Sequence, residues 1–175
     1  MADGVLIDTS FLITLSDRQR PHHDSARRYW RYFLESDIPV YLSTIVVSEF
    51  CVRQEILPEM LRSCIVLPFN WDDALRTAKL HDLEHTRPPE QSRVALKDDL
   101  KLIAQAAVAD AEFVITDDTR TFYRFCKSFR ELGEVEFTAI KLEGGFDSSF
   151  FEPNNQKNMF DTFEETGEGE EDAQE

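Results

Sequence analysis

Val5-Leu6-Ile7-Asp8-Thr9-Ser10-Phe11-Leu12 opens as a strand and closes as a helix, and the handover falls on an acid. Val5, Leu6 and Ile7 are the aliphatic, partly β-branched run of a buried strand, while Thr9 and Ser10 are residues suited to cap a helix. In a parallel sheet, sites form outside the carboxyl ends of the strands, so an acid at such an end has a positional reason to matter.

Working outward, the strand-then-helix unit recurs. From about His22 to Ser36, Ala26, Tyr29, Trp30 and Phe33 return at three-to-four spacing, with Arg27, Arg28 and Arg31 on the other faces. The spacing predicts an amphipathic helix with a basic exposed side. Val40-Tyr41-Leu42 predicts a second strand, and Ser43-Thr44 the start of a helix running through Ile45, Val46, Glu49, Val52 and Ile56. Cys64-Ile65-Val66-Leu67, closed by Pro68, predicts a third strand. Helices follow from about Trp71 to His85 and from Leu96 to Asp110, separated by the Pro88-Pro89-Glu90-Gln91-Ser92 loop. Phe113-Val114-Ile115 predicts a fourth strand, leaving through Thr116-Asp117-Asp118-Thr119. A helix over Thr121 to Arg130 and an edge strand within Glu136 to Leu142 complete the series. The alternation predicts an α/β fold with a mainly parallel central sheet covered on both faces, a three-layer α/β/α domain over residues 1–146.

At 175 residues the chain accommodates one such domain and one active site. A hydrophobic content of 42% with 30% charged residues is that of a globular protein. No apolar run approaches the ~18 residues needed to span a bilayer, and Met1-Ala2-Asp3-Gly4 lacks the basic lead-in of a signal peptide. The expectation is a cytoplasmic protein with no membrane partner. Cys51, Cys64 and Cys126 are odd in number and widely spaced, as buried free thiols are. His81 and His85 share a helix face without the Glu of a His-Glu-x-x-His zinc motif, so no metal is assigned to them.

A net charge of −15 looks unsuited to a nucleic-acid partner, but its distribution matters. Residues 147–175 carry ten acids against Lys157 alone, a net of −9, which leaves −6 for the rest. This stretch, after Gly144-Gly145, reads as an acidic disordered tail. Its Phe150, Phe151, Phe160 and Phe163 alternate with acids, which also suits a segment lying over a basic groove.

The remaining acids are better judged as a set. Asp8 and Asp118 sit at strand ends, where a cap or turn is the alternative role. Glu49 falls within the apolar stripe of its helix, four after Ile45 and three after Val46, with Arg53 as the alternative ion-pair partner. Asp99 lines up with Leu96, Leu102, Ile103 and Ala106, whereas Asp98 lines up with Lys101 and Gln105 on a face expected to meet water. A carboxylate in an apolar interface costs several kcal/mol or more unless it is paired, protonated or bound to metal. Two such acids on separate helices, with two more at strand ends, point to a shared cation.

Val-Leu-Ile-Asp-Thr-Ser-Phe-Leu at 5–12 resembles the opening motif of PIN-domain nucleases. In the family's order, Val-Val-Ser-Glu-Phe at 46–50 resembles the segment of the second acid, and Asp99-Leu-Lys-Leu-Ile-Ala-Gln-Ala the helix of the third. Phe-Val-Ile-Thr-Asp-Asp at 113–118 resembles the strand leading to a Thr-x-Asp motif, which selects Asp118 as the fourth acid and makes Asp117 the intervening residue. The resemblance spans about residues 4 to 142 and is nearest to the VapC-like toxins of type II toxin–antitoxin systems. It implies an endoribonuclease that dimerises and is silenced by an antitoxin.

An all-oxygen ligand set suits Mg²⁺ or Mn²⁺ rather than zinc. The expected chemistry is metal-assisted hydrolysis of RNA phosphodiester bonds, with Asp8, Glu49 and Asp99 holding the ion and Asp118 completing the cluster. Thr9, Ser10 and Thr116 offer hydroxyls that fix the carboxylates, with capping as the alternative role of the first two. Phosphate contacts are offered by Arg27, Arg28 and Arg31, with Arg18 and Arg20 nearby, and by Arg120 and Arg124, with Lys127 and Arg130. The main rival is a catalytically silent PIN-like module that binds RNA or protein. A flap-type DNA nuclease needs extra helical segments for which the chain has little room. A haloacid-dehalogenase phosphatase needs an Asp where Ser10 stands.

Overall fold

A computed structural model describes residues 4–83 and 93–152. Five strands form one parallel sheet: β1 (Val5–Ile7), β2 (Val40–Ser43), β3 (Ile65–Leu67), β4 (Phe113–Thr116) and β5 (Thr138–Lys141), in the order β3-β2-β1-β4-β5. Every pairing among them is parallel, with Leu6 in register with Tyr41 on one side and Val114 on the other. The described helices are α1 (Thr9–Ser16), α2 (His23–Glu35), α3 (Thr44–Phe50), α4 (Pro58–Arg62), α5 (Trp71–Leu83), α6 (Arg93–Val108) and α7 (Phe122–Glu131). Every connection between consecutive strands carries helices, and with the parallel sheet they give the three-layer α/β/α architecture expected from the alternation.

The opening octapeptide is the centre of this arrangement. Val5, Leu6 and Ile7 are fully buried, as befits a central strand covered on both faces. From β1 the chain moves out to β2 and β3, and from β4 it moves out the other way to β5. The order therefore reverses between β1 and β4, where a crevice opens at the carboxyl ends. Asp8, at the end of β1, accepts the Phe11 N–H at 2.7 Å and caps α1.

Several local expectations need correction. The helix expected to run from Ser43 to Ile56 stops at Phe50, and Val52 is 80% exposed rather than part of a buried stripe. Ile45, Val46 and Val47 have β-branched side chains with modest helix propensity, and none of residues 51–55 is buried to extend the packing. The segment that follows holds the short helix α4, started by Pro58 at its first position, which the pattern left unassigned. Cys64 lies before β3 rather than in it, and β3 is a half-exposed edge strand. Gln105, expected on the wet face of α6, is only 2% exposed. Because α5 packs alongside α6, that face is covered by a neighbouring helix instead of water.

The aromatic side of α2 meets residues past β5. A 3₁₀ turn at Ser148–Phe151 sends Phe151 against Phe113 (ring centroids 4.8 Å apart) and Phe33 (5.4 Å), while Tyr29 donates its hydroxyl to the Gly145 carbonyl and accepts the Asp147 N–H. Residues 153–175, the bulk of the expected acidic tail, lie outside the described residues, as does His85. The three cysteines are free thiols, though Cys51 is exposed rather than buried. No described helix is long and apolar enough to cross a membrane.

Candidate active site

The crevice between β1 and β4 opens into a cleft of about 720 Å³ whose lining includes Asp8, Glu49, Asp99 and Asp118. The four acids singled out from the sequence therefore share one cavity. They reach it from four elements: the end of β1, the last turn of α3, the inward stripe of α6 and the turn between β4 and α7.

Asp8 is the most enclosed. Its carboxylate accepts the hydroxyls of Ser10 and Thr116, the latter at 2.7 Å, besides the Phe11 N–H. Burial raises its pKa to about 6, against the lowering effect of those donors. Ser10 is a hub, since its oxygen also accepts the backbone N–H groups of Asp117 (2.8 Å) and Asp118 (2.9 Å). Thr116 accepts the Asp118 N–H too, so the β4 exit is fixed by the same two hydroxyls that hold Asp8. Thr9 donates to Glu49 across the cleft. The hydroxyls expected to orient the acids thus do touch them, except that Asp118 is met through its N–H and takes its side-chain donors from its own loop.

Asp118 caps α7. Burial by itself would raise its pKa, but the hydroxyl and N–H of Thr121, with the N–H groups of Arg120 and Phe122, outweigh it and hold the carboxyl below its ordinary range. Asp99 is the opposite case. Burial first, then the charges of Asp118, Asp8, Glu49 and Asp98, push its pKa up to about 8. No hydrogen bond or ion pair among the described residues offsets them. Arg53 lines the cleft without neutralising Glu49, whose partner is Thr9.

The arrangement is a wall of carboxylates rather than a closed cage: among the described residues, no three His, Cys, Asp or Glu side chains are drawn together as a metal-binding group. The donor chemistry nevertheless fits a hard divalent ion. Four carboxylates face one cavity, one of them has no ion pair among the described residues, and all four offer oxygen donors. A cation there would offset the burial and the neighbouring charges that together push the Asp99 pKa up.

The expected phosphate contacts are more dispersed. Arg27 and Arg31 are exposed on α2, with Arg27 3.7 Å from Asp24. The Arg28 guanidinium lies over the Phe146 ring, 4.7 Å from its centroid, which ties it to the segment past β5. Arg124 lines a groove with Tyr123, Lys127 and Lys141 beside Thr119, and Arg120 is exposed at the start of that face. The cations that line the acid cleft itself are Arg18, Arg20 and Arg53. Arg18 and Arg20 were grouped in the sequence with the α2 arginines as phosphate contacts, but their place at the acid cleft was not legible, because the bend that brings them there lies between helices where the pattern has no period.

A family model described as PIN domain matches residues 5–128. Among solved structures, the chain is similar to VapBC2 from Rickettsia felis bound to a promoter DNA fragment (12% identity, TM-score 0.55, covering 78% of this chain and 98% of the other). It is also similar to FitAcB from Neisseria gonorrhoeae (19%, TM-score 0.56, 79% and 98%). A toxin–antitoxin complex from Klebsiella pneumoniae is a third (22%, TM-score 0.52, 79% and 98%). At these identities the likeness is one of fold. No curated protein matches the sequence.

Proposed function

Since the chain belongs to the PIN domain family, we propose that it is a metal-dependent endoribonuclease that hydrolyses RNA phosphodiester bonds, and that it serves as the toxin of a toxin–antitoxin pair. The observation that carries the reading is the convergence of Asp8, Glu49, Asp99 and Asp118 on one cleft at the switch in strand order, with Asp99 uncompensated. In this reading those four side chains hold Mg²⁺ or Mn²⁺. Such an ion supplies Lewis acidity, acidifying water and neutralising charge on a phosphodiester.

The chain's own groups do the rest. Ser10 and Thr116 fix the Asp8 carboxylate and the turn that carries Asp118, and Thr9 holds Glu49 toward the cleft. In the same reading Arg27, Arg28, Arg31, Arg120 and Arg124, which lie outside the cleft lining, are outlying phosphate contacts for a longer RNA. The toxin–antitoxin complex from Klebsiella pneumoniae, which shares the fold, supports an antitoxin as protein partner. Self-association and a cytoplasmic location belong to the same proposal through the resemblance to VapC-like toxins.

Incubation of the full chain with a mixed RNA pool, with and without Mn²⁺, tests the reading. Cleavage is expected only with the ion, and not in Asp8→Asn. Equal inertness of all samples would instead favour a module that binds without cutting.

A further inference from the structure

Asp117 is the intervening residue of the Thr-x-Asp stretch and is not one of the acids of the cleft wall. Its carboxylate is nevertheless strongly engaged. One oxygen lies 2.6 Å from His22 Nδ1, which donates to it, and the other accepts the Thr14 hydroxyl at 2.6 Å. Thr14 is fully buried in α1, and its carbonyl accepts Nδ1 of His23 at 3.0 Å. The partners are 95 and 103 residues away in the chain, so this is a tertiary clasp and not a local turn.

What the clasp holds is the loop between α1 and α2. That loop is folded by its own bonds: the Gln19 N–H goes to the Asp17 carboxylate, Arg20 N–H to the Asp17 carbonyl, and His23 N–H to the Arg20 carbonyl. Such a turn moves as a unit, anchored by α1 at one end and by His22 at the other. It carries Arg18 and Arg20, two of the three cations that line the acid cleft. The Asp117 backbone N–H, in turn, is held by Ser10, which also touches Asp8. One short chain of bonds therefore links the acid at the end of β1 to the loop bearing the arginines.

We propose that Asp117, with Thr14 and His22, positions the α1–α2 loop so that Arg18 and Arg20 face the cleft and take the RNA phosphates next to the one being cut. This rests on the nuclease reading above. Bidentate guanidinium contacts to phosphate lose strength steeply when misaligned, so release of the loop falls on substrate binding more than on the chemical step. Asp117 and His22 are positioning residues, since neither lines the cleft.

The test compares His22→Ala, His22→Asn, Arg20→Ala and the double variant His22→Ala/Arg20→Ala in the full chain, by cleavage kinetics on a short single-stranded RNA with Mn²⁺. Asn presents an amide N–H close to where Nδ1 stands, so it restores the bond. His22→Ala is expected to raise KM about tenfold with a smaller change in kcat, and the Arg20 effect to shrink in the double variant. Recovery of KM in His22→Asn is expected, which a general loss of stability would not give. An unchanged KM in His22→Ala, or full additivity with Arg20→Ala, would overturn the proposal. Amide hydrogen exchange of residues 18–23 separates this failure from that of the nuclease reading. Should wild type cut no RNA, faster exchange there in His22→Ala, with β1 and β4 unchanged, still supports the clasp, and unchanged exchange overturns it.

Discussion

Asp73 and Asp99 lie on the neighbouring helices α5 and α6, and each is withdrawn from water, but they are satisfied in opposite ways. Asp73, 2% exposed, accepts the Asn70 N–H at 2.7 Å while the Asn70 side chain accepts the Asp73 N–H, a reciprocal cap that starts α5. Among the described residues Asp99 has no such donor, and its neighbours include four more acids. The first acid completes local backbone bonding, whereas the second leaves an electrostatic deficit that only a proton or a cation can fill. Burial of an acid therefore says little about function until its donors are counted.

Replacement of the two residues should separate them most sharply in activity. Asp99→Asn is expected to lower RNA cleavage by roughly a thousandfold or more, the scale of losing several kcal/mol of charge stabilisation, while Asp73→Asn cuts near the wild-type rate. Initial rates on one RNA at saturating Mn²⁺ decide it. Comparable losses in both variants would remove the distinction.

Stability should move the other way. Asp73→Asn weakens the cap by about 1–2 kcal/mol, whereas Asp99→Asn stabilises the chelator-treated protein at pH 8, because it removes a charge the fold resists. Denaturant unfolding in the presence of a chelator measures both.

The dependence on pH follows from the same asymmetry. Folded Asp99 keeps its proton up to about pH 8, while its ordinary value is 3.8. Between those values the folded state binds more protons than the unfolded one, so the metal-free chain loses stability as pH rises. Asp8 adds the same sign between 3.8 and about 6. Thermal unfolding of chelator-treated protein from pH 5 to pH 8 should show a falling Tm, with a shallower fall in Asp99→Asn. The smallest effect is expected of Thr9→Val, about 0.5–1.5 kcal/mol of stability in the same unfolding measurement, since it removes one partly exposed hydroxyl bond to Glu49.

The acids were readable before the structure because each carried a positional signal: Asp8 and Asp118 at strand ends, Asp99 in a strict apolar stripe. Glu49 was found partly for a reason that fails. The stripe invoked for it extended to Val52, yet α3 ends at Phe50, and Glu49 faces the cleft from the last turn of a helix too short to have a full stripe. The central strands β1 and β4 were legible as apolar runs because both their faces are covered. β3 was harder, as an edge whose Ile65 and Val66 are about half exposed. Gln105 was misplaced because periodicity tells one helix face from another, not whether water or a second helix covers it. The links through Thr14, His22 and Asp117 had no sequence signal at all, since they join residues about a hundred positions apart through hydrogen bonds.

Calorimetric titration of Mn²⁺ into the full chain at pH 8, beside Asp99→Asn, is the most direct check on whether the cleft is a cation site. Saturable binding by the wild-type chain, lost or strongly weakened in the variant, is the predicted result. The same heats in both proteins, or none in either, would contradict it.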